Sequence, residues 1–196
     1  GFAEREGAAF SLARPPGHHA ERDRVGGFCY FNNIAVATAK LLRRHKKVAI
    51  LDLDVHHGNG TQHSFFNDPT VYYASLHQFP HYPGTGRPEE RGMHDTTLNI
   101  PMRAGAPAQD WLDAIENIVV PEFEKFDPCF LLISCGFDAH RADPLGDQNL
   151  EAEHFATMTN RVKGLAHGRV VSLLEGGYNL DALGESAVAH YRALEQ

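Results

Sequence analysis

The chain has 196 residues, 42% hydrophobic and 22% charged, enough for one domain with its own core. A formal net charge of −7 argues against a nucleic-acid-binding face, which needs clustered Lys and Arg, and gives a cationic substrate only diffuse support. No apolar run reaches the roughly 18 residues of a membrane span, and Gly1–Glu6 lacks the basic and apolar parts of a signal peptide. Cys29, Cys129 and Cys135 have no paired spacing and read as reduced thiols, so a cytoplasmic protein is expected.

In chain order, the first 30 residues hold a dense loop, Arg14-Pro15-Pro16-Gly17-His18-His19, with no sheet-building strand expected before it. The expectation is therefore one domain over residues 1–196 that lacks an N-terminal portion of its fold, and that alone is poorly soluble or recruits a partner. Ile34, Ala37 and Leu41 recur at helical spacing, and Val48-Ala49-Ile50-Leu51 reads as a buried strand. Val71 to Leu76 is a second strand. His77 to Ala108, rich in Gly, Pro and polar residues, reads as one long functional loop. Leu112, Ile115, Val119 and Phe123 line a helix that Pro121 should kink. Phe130 to Ile133 is the next strand, followed by a helix facing inward through Phe155, Met158, Val162 and Leu165. Val170 to Leu174 is the last strand, before a closing helix through Leu183, Val188 and Tyr191. Doubly apolar strands alternating with amphipathic helices predict an α/β fold whose parallel sheet is covered on both faces.

Ligands of such sheets bind outside the carboxyl ends of the strands. Asp52, Asp54 and His56 follow one strand, Asp138 another and Tyr178 a third. The two-residue spacing puts the first three on one face of an extended segment. Asp54, His56 and Asp138 then form an Asp2His set suited to a catalytic Zn²⁺ or Fe²⁺ with an open position. Any one of these residues alone reads equally well as a solvated strand end or a loop histidine; the whole string does not. A His at 18 or 19, presented by the Pro15-Pro16-Gly17 turn, can serve as general base and then general acid. The Tyr178 phenol is suited to hydrogen-bond a developing oxyanion, though a tyrosine after two glycines is often only a packed ring.

The motifs Arg14-Pro-Pro-Gly-His-His19, Gly27-Phe-Cys-Tyr-Phe-Asn-Asn33, Asp52-Leu-Asp-Val-His-His-Gly-Asn-Gly60, Gly136-Phe-Asp-Ala-His140 and Glu175-Gly-Gly-Tyr178 resemble the histone deacetylase superfamily, which also holds bacterial acetoin-utilisation proteins and acetylpolyamine amidohydrolases. The last two motifs resemble its class II branch. The resemblance implies a three-layer α/β/α arginase-like fold and a zinc-dependent hydrolase that removes acetyl groups from amines, most simply acetyl-lysine in proteins. It implies Asp54, His56 and Asp138 as zinc ligands, and His19 as general base and acid. His18, paired with Asp52, would tune the electrostatics, and Asn59 would orient His19. Tyr178 would polarise the acetyl carbonyl. Gly27, Phe28 and Tyr82 would line the acyl-lysine tunnel, with Leu145 at its mouth where the polyamine-preferring branch carries an acidic residue. A structural K⁺ or Na⁺ at Asp52, Asp54, His56, Ser75 and Leu76 is also implied, with a second near Phe65, Asp68 and Val71.

The alternatives are an acetylpolyamine amidohydrolase, a catalytically silent acetyl-lysine-binding scaffold, and a manganese hydrolase like arginase, which would need more carboxylates. The expected partners are an acetylated lysine peptide or protein, or an acetylated polyamine. No nucleic acid and no membrane are expected, and homo-oligomer formation is left open.

Overall fold

The structure is a computed structural model that describes Ala3 and residues 7–195. Its centre is a six-stranded sheet in the order β1 (Ala8–Ser11), β8 (Val170–Leu174), β6 (Phe130–Cys135), β2 (Val48–Asp52), β3 (Val71–Gln78), β4 (Thr97–Met102). Neighbouring strands all pair parallel. A two-stranded ribbon joins β5 (Ala106–Pro107) to β7 (Gln148–Asn149).

Every residue of β2, β3 and β6 is buried, as doubly covered strands require. Alternation divides their side chains between two cores. Val48, Ile50, Val71, Tyr73, Phe130 and Leu132 face a smaller core shared with Ile34, Ala37 and Leu41 of α1 (Asn33–Leu42). The opposite face meets α3 (Ala108–Ala114), α4 (Val120–Phe126), α5 (Ala152–Val162) and α6 (Leu180–Glu195) through Trp111, Phe123, Phe155 and Met158. The α1 face, the α5 face and the strand at Val170 fall where the spacing put them. Asn32 caps α1, its side chain accepting from Ala35 N at 3.0 Å. α2 (Asn59–Phe65) lies directly after the Asp54-His56 segment.

Three expectations are corrected, and one is refined. A strand does precede the His18-His19 loop: β1 pairs with β8 at the sheet edge, Ala8 opposite Val170, and supports that loop. The long loop is shorter than predicted, because Thr97 to Met102 forms edge strand β4, where Pro101 is tolerated. Where Pro121 was expected to kink the helix, Ile115–Val119 forms a π-helical turn between α3 and α4, in which Val120 N–H reaches Ile115 O. That widened turn absorbs the missing donor of Pro121. Finally, α6 does not face inward through Val188 and Tyr191, which are exposed; it buries Ala182, Ser186, His190 and Ala193.

His190 sits between Thr159 Oγ1 (2.6 Å) and Ser172 Oγ (2.8 Å), beside the rings of Phe10 and Phe137. Burial pulls its imidazole down from 6.5 to about 4. The folded state thus refuses a proton that the unfolded chain accepts below pH 6.5, and stability is lost as pH falls from there toward 4. From pH 7 to 5 this loss is about 2 kcal/mol for one such group. Urea unfolding at the two pH values should show His190→Gln losing less on acidification than wild type by about that amount. Equal losses would refute it.

Candidate active site

Three strand ends converge. β2 ends at Asp52, and the chain turns to present Asp54 and His56; β6 leads to Asp138; β8 leads to Glu175 and Tyr178. His56 Nδ1 lies 3.0 Å from Asp54 Oδ1 and 3.1 Å from Asp138 Oδ2. The donor atoms of Asp54, His56 and Asp138 all lie within 4.8 Å of one another, and all three residues are buried. Backbone groups hold the carboxylates: Val55 N donates to Asp138 Oδ1 at 2.9 Å, and Gly176 N to Asp54 Oδ2 at 2.8 Å. A Cβ at Gly176 would collide with both carboxylates, so only glycine lets the β8 segment pass this close.

The electrostatics fit a cation. Burial opposes ionisation of Asp54, but His18 and His56 outweigh it and hold the carboxyl well below the usual range. Burial and the Asp54 charge push Asp138 up to about 7. Burial works against a charge on His56, yet its bonds to Asp138 and Asp54 lift it to about 10. Two buried carboxylates and one imidazole nitrogen thus converge on one point, and a divalent cation with N and O preferences matches that donor set.

Beside this cluster stand the tandem histidines. His18 Nδ1 pairs with Asp52 Oδ2 at 3.0 Å, and Tyr73 OH donates to the same oxygen at 3.1 Å. Burial disfavours charge on His18, but Asp54 and Asp52 outweigh it and raise its pKa well above the ordinary value. His19 Nδ1 meets Asn59 Oδ1 at 2.8 Å. Burial, followed by the charge of His18, lowers His19 to about 3, so its imidazole is neutral at physiological pH. Asp54 and His56, beyond the end of β2, reach the candidate metal cluster, while Asp52, still inside β2, pairs with His18.

His19, Gly27, Phe28, His56, His81, Tyr82, Leu145 and Tyr178 line one cavity of about 420 Å³. Phe28 and Tyr82 are exposed aromatic walls, and Leu145 is 40% exposed at the same cavity. Gly27 has φ 53°, and a Cβ there would strike the His19 ring. The Tyr178 ring lies 5.7 Å from that of Phe28 and 5.3 Å from the Arg14 guanidinium. Burial, with Asp54 and Asp138, raises its phenol and keeps it an O–H donor at neutral pH. Ser75 and Leu76 sit on β3, with Ser75 in register with Asp52.

Three residues of the site went unassigned in the sequence. Glu175 is fully buried, accepts from Gly17 N (2.6 Å), His18 N (3.1 Å) and Ser134 Oγ (2.9 Å), and is pushed up to about 7 by burial. Its signal was a carboxylate directly after an apolar strand. Asp143 accepts from Tyr178 N (2.6 Å), Asn179 N (3.1 Å) and Leu145 N (3.0 Å), so one buried side chain sets both Tyr178 and Leu145. His81 stacks on His56 at 5.1 Å and donates from Nε2 to Leu145 O at 2.9 Å. No local pattern marks either of the last two.

The family model of the histone deacetylase domain matches residues 2–194. An uncharacterized protein of Synechocystis sp. is 46% identical over 189 residues, covering 95% of this chain and 62% of that protein. Histone deacetylase clr3 of Schizosaccharomyces pombe is 45% identical, covering 95% of this chain and 29% of its own length. The chloroplastic histone deacetylase 14 of Arabidopsis thaliana is 41% identical, over 94% of this chain and 46% of that one. The crystal structure of the HDA15 HD domain superposes with a TM-score of 0.94 at 41% identity, covering 98% of this chain and 58% of that one. The chain thus spans less than two thirds of each relative. The parallel sheet between helical layers is the arginase-like three-layer α/β/α fold. In sequence and in structure alike, the chain belongs to the histone deacetylase family.

Proposed function

We propose that this chain carries the catalytic centre of a zinc-dependent deacetylase acting on acetylated lysine side chains. The observation that carries the reading is the single cavity that joins His19, Tyr178 and the ligand-bearing His56 between two aromatic walls. Asp54, His56 and Asp138 would hold the metal. Bound there, Zn²⁺ makes water more acidic and polarises a carbonyl. Phe28 and Tyr82 enclose the lysine methylenes, and Tyr178 donates its O–H to the acetyl oxygen as negative charge develops. Neutral His19 takes a proton from the attacking water; the carbon–nitrogen bond breaks, and the same proton goes to the departing amine, releasing acetate. Asn59 and the His18–Asp52 pair hold His19 in place. Retention of Tyr178 beside a complete ligand set disfavours a silent scaffold. The juxtaposed ends of β2 and β3 support a structural K⁺ or Na⁺ at Asp52, Asp54, His56, Ser75 and Leu76.

Leu145 favours acetyl-lysine over acetylated polyamines. An apolar side chain at the cavity mouth suits peptide backbone and methylenes, whereas a carboxylate would draw a distant ammonium by a few kcal/mol, roughly, in a partly desolvated rim. Acetate release by the full-length zinc-loaded protein should be faster from an acetyl-lysine peptide than from acetylspermidine, and should stop on chelation. Leu145→Glu should move the kcat/KM ratio toward the polyamine. Turnover of neither substrate overturns the function, and a wild-type preference for polyamine overturns the substrate assignment.

A further inference from the structure

His19 can act as a base only through a ring nitrogen with a free lone pair. Its Nδ1 faces Asn59, which leaves Nε2 for the cavity that the ring lines. Nδ1 must therefore carry the proton, and the group facing it must be an acceptor. An aspartate would be an acceptor in either orientation, but an asparagine amide presents oxygen on one side and NH2 on the other. Flipped, Asn59 would donate to Nδ1, move the ring proton to Nε2 and leave no base.

The structure holds a device against that flip. Asn59 Nδ2 donates to Glu21 Oε1 at 2.8 Å. A carboxylate only accepts, so it selects the NH2 side of Asn59 for itself and the oxygen for His19. The second Glu21 oxygen, Oε2, is held 3.1 Å from His63 Nδ1 on α2, and Glu21 N donates to Arg24 O at 2.9 Å, fixing the turn that carries the carboxylate. Gly60 N and Thr61 N both donate to His18 O, at 3.0 and 3.2 Å, and seat the 17–21 loop on the start of α2. Asn59 and Glu21 are thus held against each other by backbone contacts independent of the amide itself.

We infer that Glu21 is a positioning residue that sets the tautomer of His19 through the orientation of the Asn59 amide; this rests on the reading of His19 as the general base. Sequence reasoning passed over Glu21, because only the fold brings it to Asn59. Glu21 touches neither substrate nor metal ligand, and its whole effect is relayed.

The test is a double-mutant cycle with the zinc-loaded full-length protein and an acetyl-lysine peptide. Glu21→Leu should lower kcat about 10–100-fold, the range for residues that orient a site's functional groups from behind, with KM little changed. Glu21→Gln, of the same shape, should lose less, since one of its amide orientations still accepts. In an Asn59→Asp background, where position 59 has no wrong side, Glu21→Leu should cost nothing or raise kcat by relieving repulsion. A merely structural Glu21 would give the same loss in both backgrounds, and that result, or an unchanged kcat in Glu21→Leu, overturns the inference. Nitrogen-15 shifts of the His19 ring give an activity-independent reading: a single Nδ1–H form in wild type, and a mixture in Glu21→Leu. A single Nδ1–H form in both also overturns it. If instead His19→Ala kept its turnover, the general-base reading would fail, while the ring shifts would still report whether Glu21 controls the tautomer.

Discussion

Tyr178→Phe should lower kcat about 10²–10³-fold and leave KM nearly unchanged. The substitution removes one oxygen and keeps the ring, so the packing with Phe28 and Arg14 survives. The backbone bond from Tyr178 N to Asp143 is also untouched, and the segment has no reason to move. In the proposed mechanism the lost group is a donor to charge that develops only in the transition state, and such a loss appears in kcat rather than in binding. Steady-state kinetics on an acetyl-lysine peptide decide it. Near-native turnover would remove Tyr178 from the mechanism, and a rise in KM alone would make it a binding residue.

His19→Ala should cost about 10²–10⁴ in kcat, the span of general acid–base catalysis, again with a small change in KM. In the proposed mechanism both proton transfers pass through this ring. His18 is the nearest candidate, its ring 4.0 Å away between centroids, but it is committed to Asp52 and already holds its proton. An imidazole that keeps a proton cannot accept another. Its neighbour, forced low by burial and by that same charge, can. Adjacent in sequence, the two histidines are made chemically opposite by their surroundings. If His19→Ala retained activity within a few-fold of wild type, the assignment would pass to another group.

Much of the fold and of the placement of the candidate site was legible in the sequence, for identifiable reasons. Strands buried on both faces, such as Val48–Asp52 and Phe130–Cys135, have continuous apolar runs that only a covered sheet accommodates. The metal candidates were readable because each follows such a run at its carboxyl end, where an α/β sheet opens to ligands. Edge strands lack that signal. Ala8–Ser11 contains no β-branched residue and is a strand through its pairing with β8, and Thr97–Met102 carries a proline. The inner face of α6 was misread because Ala182, Ser186 and Ala193 are small, and the helix packs closely against α5 with the bulkier Val188 and Tyr191 outside. Glu175, Asp143 and Glu21 act through partners that the fold alone brings near: Glu175 meets Gly17 across 158 positions of sequence. Residue type can announce a ligand, but a second partner's position is a property of topology.

That span also dictates when the site can exist during synthesis. β1 precedes its pairing partner β8 by more than 150 residues, and the Glu175 side chain that receives Gly17 and His18 comes later still. Closing so long a loop costs only about 0.6 kcal/mol for each doubling of its length, so the finished fold tolerates it well. The burden falls on time. Contacts this distant in sequence form slowly, and until β8 has left the ribosome the edge of β6 and the 17–21 loop are without their partner. Metal supplied to a nascent chain would find Asp54, His56 and Asp138 before the backbone of Gly176 arrives to clamp Asp54. Zinc capture by a ribosome-arrested chain should therefore tighten once the segment through Tyr178 has emerged, and a nascent chain stalled short of it should stay exposed to chaperones and proteases.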